Sequence, residues 1–152
     1  MSRLEGSGVA VDLPVGWEGT ISGGDFQLMA DGAVEPTVMH LGTFPLPAER
    51  GSFGSGAVEL MHNQDIFMSL FEYGPEAADT PLFASQGIPT ELQARQFDRD
   101  ALQRALPGQS ALQQFFTHQG RAFCLYVVPG SHIDRADLLP QVNAILDTLQ
   151  ID

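Results

Sequence analysis

The sequence predicts an α+β fold in which a mainly antiparallel sheet is covered by helices. Segments with alternating apolar residues recur along the chain, and an apolar stripe with helical spacing ends it. The helical patterns come late and at irregular intervals, whereas a doubly wound fold would place one after each strand. At 152 residues, 43% hydrophobic and 17% charged, the chain is expected to fold as one globular domain over 1–152.

The first part of the chain predicts short strands. Alternation and turn residues place them at Val9–Leu13, Gly19–Ser22, Phe26–Ala30 and Pro36–Phe44. The first eight residues contain no apolar run that could be a signal sequence, and they resemble the short polar leader that remains when a signal or anchor is removed. The Pro and Gly content of Pro45–Gly56 predicts a loop, and Ser55 is placed to cap a short helix over Ala57–Met61.

The middle of the chain predicts a strand that is covered on both sides. Ile66–Tyr73 is apolar on both faces, which is typical of a strand buried in a sheet between two layers. After it, Asp98 is placed to cap a second helix, since the apolar residues between 101 and 106 have helical spacing. Pro107 and the glycine that follows end this pattern.

A hairpin is predicted around Gln119 and Gly120. This turn pairs strand Ala111–Thr117 with strand Arg121–Val128, and it places Cys124 and His118 on opposite faces. The last element is a helix over Leu138–Leu149. Asp137 is placed to cap this helix, with Pro140 expected in its first turn.

Charge and composition exclude several classes of function. The chain carries 19 acidic and 7 basic residues, a net charge of -12, and all the bases are arginine. Proteins that bind nucleic acid or anionic membranes gain affinity from basic clusters, so neither class of partner is expected. The chain has no apolar stretch long enough to span a membrane. It is expected to be soluble, either exported or envelope-associated if a signal has been removed, or cytoplasmic.

No catalytic or metal site is predicted. Cys124 lies in an apolar strand and is expected to be buried and unreactive, because a nucleophilic thiol needs an electropositive, accessible setting. The histidines lack metal-site spacing and are expected on the surface or in loops; they are His40, His62, His118 and His132. His132, Asp134 and Asp137 resemble a hard-metal cluster, but carboxylates at a helix start are more often caps. No cofactor is predicted.

Both ends of the chain resemble the PsbP/Mog1-like group. The opening VDLPVGW at 11–17, the ending VNAILDTLQI at 142–151 and the late hairpin FFTHQGRAFCLYVV are similar to that group's motifs. The resemblance implies an α/β/α sandwich and a role in binding a partner, with no catalytic motif to carry over. An actinobacterial exported or envelope-associated member would agree with the composition.

The segment Gly74–Gln96 is the predicted functional surface. It is long and contains three prolines, yet it carries several large apolar residues. These residues either fold back as a small cluster on the core or remain exposed for a partner. The residues predicted to contact a ligand or partner are Pro81, Leu82, Phe83 and Ile88. The sequence therefore favours a non-enzymatic binding or accessory domain that contacts a protein or small ligand. The alternatives are a small-molecule enzyme with a site assembled from distant residues, and a structural subunit of a homo-oligomer.

Overall fold

The computed structural model describes residues 2–23 and 36–152. The strands in these ranges are β1 (Ser2–Gly6), β2 (Val9–Leu13), β3 (Glu18–Ser22), β4 (Val38–Gly42), β5 (Ile66–Glu72), β6 (Leu112–His118), β7 (Arg121–Pro129) and β8 (Gln150–Ile151). One α-helix, α1 (Arg135–Leu146), lies between β7 and β8. The strands form two antiparallel sheets. The smaller sheet has the order β1-β2-β8, and the larger has the order β3-β4-β5-β7-β6.

The register of β5 and β7 separates the two faces of the five-stranded sheet. Leu70 pairs with Leu125, and the next residue, Phe71, pairs with Cys124. Since successive side chains of a strand point to opposite sides, these two pairs lie on opposite faces. Alternate strand residues accordingly enter two separate hydrophobic clusters. We call the two sides the helix face and the loop face, after what covers each of them.

The helix face packs against α1 and the three-stranded sheet. Leu125 and Met68 of this face share one cluster with Val11 of β2 and with Ile145 of α1. Gly19 of β3 lies at this junction, where an added Cβ would come within 3.0 Å of leucine side chains from three strands. The helix and strands of this cover pair their backbone groups among themselves, so apolar side chains of the sheet suffice against them. Leu92 and Phe97, which lie in irregular backbone, also pack on this cluster, and a side chain of α1, Asn143, bonds the backbone of Leu92.

The loop face packs against irregular segments. Phe67 and Val128 share a second cluster with Phe44 and Val58, which belong to the connection between β4 and β5. Residues 101–106 pack on the same cluster. A row of polar residues crosses the middle of this face in register, formed by Thr20, His40, Ser69, Tyr126 and Gln113. The helix face has no such row within the described ranges.

The predicted fold class is wrong. The described residues form a mainly antiparallel β protein with two sheets and a single α-helix, so no α/β/α sandwich is present in them. The helix predicted at 101–106 is replaced by a 3-10 turn over Arg99–Ala101, and the one at Ala57–Met61 is a 3-10 turn over Val58–Leu60. Apolar residues of both segments pack onto the loop face from these turns and from the irregular backbone beside them.

The predicted strands that fall within the described residues are confirmed, and so is the hairpin. The three strands predicted around Ile66, Ala111 and Arg121 all lie in the five-stranded sheet, with boundaries within one residue. Thr117 pairs with Ala122 as expected. The left-handed backbone of Gln119 and Gly120, with φ of 51° and 77°, forms the turn.

Two helix details and one strand were not anticipated. The helix α1 both begins and ends three residues earlier than predicted, at Arg135 and Leu146, with Asp134 rather than Asp137 at the N-cap. Pro140 is the sixth residue of α1 and is exposed, so the carbonyl that loses its helical partner lies on the solvent side. Ser2–Gly6, expected as a leader, is strand β1 and pairs with β2. The strand predicted at Phe26–Ala30 lies outside the described residues.

Candidate functional site

The loops on the loop face are tied to the sheet through the polar row. The carbonyl of Ser52 accepts two hydrogen bonds, from His40 Nε2 at 2.8 Å and from Ser69 Oγ at 2.6 Å. The amide of Gln103 donates to Tyr126 Oη at 2.9 Å. Irregular segments have no ladder to satisfy their backbone groups, and an unpaired buried group costs about 1–3 kcal/mol. The row therefore supplies the partners that a helix or strand would not need.

His40 uses both of its ring nitrogens. Its Nε2 hydrogen is committed to Ser52, so Nδ1 is the acceptor, and it receives a hydrogen bond from Arg50 Nε at 2.7 Å. Burial lowers the pKa of His40 below its ordinary value; the Ser52 carbonyl raises it, and the Arg50 charge lowers it. His40 is thus a neutral, buried histidine. The expectation that all the histidines lie on the surface or in loops is wrong for this one.

Arg50 is held by three neutral acceptors. Besides His40 Nδ1, its Nη1 donates to the carbonyl of Pro47 at 2.6 Å and its Nη2 donates to Thr20 Oγ1 at 2.7 Å. A guanidinium has five N–H groups, so these bonds leave two for another acceptor. No carboxylate of the described residues lies within 4.0 Å of Arg50. In contrast, Arg121 forms two bonds of 2.8 Å with Glu72.

Two surface grooves meet at Arg50. The first, of about 440 Å³, runs over the exposed end of the loop face; it is lined by Thr20, Ser22, Pro36, Val38, His40, Ala48, Arg50 and Ser52. The second, of about 380 Å³, lies where β1 and β3 come together and contains Trp17, Glu18 and Leu46. We call them the polar groove and the Trp17 groove. Thr20 and Arg50 line both, so the guanidinium lies at their junction.

The predicted surface segment wraps the edge strand β6. Thr117 of β6 exchanges backbone bonds of 2.8 Å with Ser85 and Gly87, and its hydroxyl donates to the carbonyl of Phe83 at 2.7 Å. Further along, the amide side chain of Asn143 in α1 bonds the backbone of Leu92 at 2.8 and 3.1 Å. The segment therefore covers one of the two edges of the five-stranded sheet, which would otherwise be open to pairing.

The four predicted contact residues lie in different environments. Pro81 and Leu82 are exposed, with Leu82 at 60% of its full accessibility. Phe83 is buried and its ring packs on Tyr73 and Phe115, with centroids 5.2 and 5.4 Å apart. Ile88 is half-buried against the cluster of the helix face. The structure thus groups Pro81 with Leu82 and separates both from the other two.

The other sequence-based candidates do not assemble into a site. Cys124 is fully buried, and burial raises the pKa of its thiol to about 12. Asp134 and Asp137 lie in the first turn region of α1, and the described residues contain no group of three metal-ligating side chains. Within the described residues, no helix is long and apolar enough to cross a membrane. Sequence reasoning missed Arg50, although a lone arginine in a Pro- and Gly-rich loop of an acidic chain was a visible signal.

Comparisons with known proteins add no relative to this description. No family model, no curated protein and no solved structure matches the chain. The resemblance to the PsbP/Mog1-like group stays a prediction from the short motifs at the two ends.

Proposed function

We propose that the protein is a non-enzymatic binding domain that recognises an acidic group of a small ligand or protein partner through Arg50. The observation that carries this proposal is the guanidinium itself, fixed by neutral acceptors at the junction of two grooves. Such a cation keeps its full charge for a ligand, and its planar donors suit a carboxylate or phosphate. Because the three bonds fix the side chain in advance, little rotamer entropy is lost on binding.

The chemistry of the groove favours binding over catalysis. A general base needs a nitrogen or oxygen available to the substrate, and both nitrogens of His40 are committed. The thiol of Cys124 lies in the sheet interior. The enzyme alternative would require residues other than these. The acidic group that we propose is instead bound without any change of covalent bonds.

The test is a titration with inorganic phosphate and with acetate at low ionic strength, followed by ¹⁵N NMR. Arg50 Nε–H should give a resolved signal, because it is held in a hydrogen bond to His40. We expect this signal to shift in a saturable way, together with the backbone amides of Thr20 and Ser22. Arg50→Gln should abolish the shifts, whereas Arg104→Gln, which changes an exposed arginine outside both grooves, should leave them unchanged.

Shifts spread evenly over several arginines, or their persistence in Arg50→Gln, would contradict the proposal. The wild-type titration is informative even where the variant is unstable, since the position of the shifting signals alone locates the site.

A second candidate is a partner surface at Pro81 and Leu82, the two exposed members of the contact residues predicted in Gly74–Gln96. The observation that favours it is the exposure of Leu82, which lies in a 3-10 turn over Pro81–Phe83. The last residue of this turn, Phe83, is buried and packs on the ring of Phe115. A large apolar side chain on a rigid turn suits contact with a protein, including a second copy of this chain.

A further inference from the structure

Glu18 lines the Trp17 groove together with Arg50, and one loop fixes both charged groups. The backbone N–H of Leu46 donates to Glu18 Oε2 at 3.2 Å. The next residue, Pro47, accepts from Arg50 Nη1 at 2.6 Å. The carboxylate and the guanidinium are therefore positioned by adjacent residues of the same segment.

The two opposite charges do not pair with each other. No ion pair within 4.0 Å joins them among the contacts of the described residues. Glu18 and Thr20 are two residues apart on β3, so their side chains share a face about 7 Å apart. Since Arg50 bonds Thr20 Oγ1, the positive group lies further along the strand than the negative one. The groove thus presents separated charges of both signs.

The remaining charged residue of this groove is already neutralised. Arg3 forms an ion pair of 3.1 Å with Asp12 and a longer one of 3.8 Å with Glu5. A ligand in the Trp17 groove therefore meets one uncompensated negative group, Glu18, and one uncompensated positive group, Arg50, within the described part of the chain.

Resting on the proposed function, we infer that the ligand of Arg50 is a small zwitterion that carries both an ammonium and a carboxylate group, as amino acids do. The carboxylate lies on Arg50 and the ammonium lies towards Glu18. A simple anion would gain the first contact but would be repelled by Glu18, and a simple amine would be repelled by Arg50. A groove of about 380 Å³ is within the size range of small-molecule sites.

The experiment compares three probes of equal length, 6-aminohexanoate, hexanoate and hexylamine, by the same NMR titration of wild-type protein. An exposed charge pair contributes about two- to fivefold in affinity, so 6-aminohexanoate should bind about threefold more tightly than hexanoate. Hexylamine should produce no shift at Arg50 Nε–H. Glu18→Gln keeps an oxygen that accepts from the Leu46 amide. In this variant, 6-aminohexanoate and hexanoate should bind with equal affinity.

The outcomes separate this inference from the proposed function. Equal affinity of the wild-type protein for 6-aminohexanoate and hexanoate would overturn the inference that the ligand is a zwitterion, but it would leave the proposed binding of an anion intact. A preference for 6-aminohexanoate that survives Glu18→Gln would also overturn it. Absence of any shift at Arg50 with phosphate, acetate and all three probes would overturn both proposals.

Discussion

The two faces of the five-stranded sheet are covered in different ways, and their side chains differ accordingly. The helix face meets mainly a helix and a second sheet, with Leu92 and Phe97 added from irregular backbone, and its core is apolar. The loop face meets irregular segments, and polar residues cross its centre. The cover of a sheet therefore determines which side chains must meet it. A regular cover needs only apolar contact, whereas the backbone of an irregular cover needs hydrogen-bond partners from neighbouring side chains, which the strands supply on the loop face.

The same arrangement connects packing to the proposed function. His40 belongs to the polar row, where one ring nitrogen satisfies the carbonyl of Ser52 and the other orients Arg50. A loop that is tied down by strand side chains thus carries a fixed cation at its surface.

The largest expected effect is on the helix face. Leu125→Ala should lower the free energy of unfolding by about 3 kcal/mol, because it leaves a cavity in a fully buried cluster. The matched change Leu102→Ala, at a half-buried position on the loop face, should cost about 1 kcal/mol. Urea denaturation measures both. Equal losses would contradict the expectation that the fully buried leucine of the helix face contributes more to stability than the half-buried leucine of the loop face.

The next effect concerns the charged pair at the end of the helix face. Arg121 binds Glu72 through two bonds and also donates to the carbonyls of Ser7 and Asp152, so it links the two sheets. Both side chains are about one-fifth exposed. Arg121→Met should destabilise the protein by about 2 kcal/mol, since it leaves Glu72 without its partner. In urea denaturation, adding Glu72→Gln should restore part of this loss; an additive result would show that the pair is not coupled.

A smaller effect is expected from the polar row. Tyr126→Phe removes the acceptor for the Gln103 amide and should cost about 1 kcal/mol. Hydrogen exchange measures the consequence locally, because the Gln103 amide should lose protection while the amides of β5 keep theirs. Unchanged protection at Gln103 would mean that the row does not hold the loops.

The smallest effect is expected at Leu82. Leu82→Ser changes an exposed side chain and should alter the free energy of unfolding by less than about 0.5 kcal/mol. Phe83→Ser, at the buried neighbour, should cost about 3 kcal/mol and serves as the contrast. If Leu82 forms a contact between copies, sedimentation should show a lower mass for Leu82→Ser than for the wild type. If both proteins sediment with the same mass, Leu82 has no role in self-association.

The sequence predicted the strands and the hairpin because their information is local. The apolar run Ile66–Tyr73 identifies a buried strand, and the turn at Gln119 and Gly120 determines the register of the hairpin, in both cases without reference to distant residues. The helix prediction at 101–106 is wrong for a physical reason: Leu102 and Leu106 pack on the loop-face cluster from irregular backbone that follows a 3-10 turn. Apolar residues spaced three or four positions apart are compatible with a helix and also with irregular backbone packed on a core.

The candidate groove could not be predicted in the same way. Thr20, His40 and Arg50 come from β3, β4 and the following loop, and only the register of the sheet brings the first two side by side. The hint in the sequence was a histidine among the apolar residues of Pro36–Phe44, at a position where alternation predicts burial. Such a polar residue indicates a partner that the strand itself does not supply.

The claim that a strand histidine both ties down a loop and orients Arg50 is tested most directly by ¹⁵N NMR of the His40 ring. We predict a neutral ring with the hydrogen on Nε2 and a scalar coupling between Arg50 Nε and His40 Nδ1 through the hydrogen bond. The pKa of His40 in the folded protein should lie below 6.5, its ordinary value. Below about pH 6.5 the unfolded chain therefore binds the proton first, so the free energy of unfolding should decrease as the pH falls towards the folded pKa. A hydrogen on Nδ1, no coupling to Arg50, or a pKa at or above 6.5 would contradict the account.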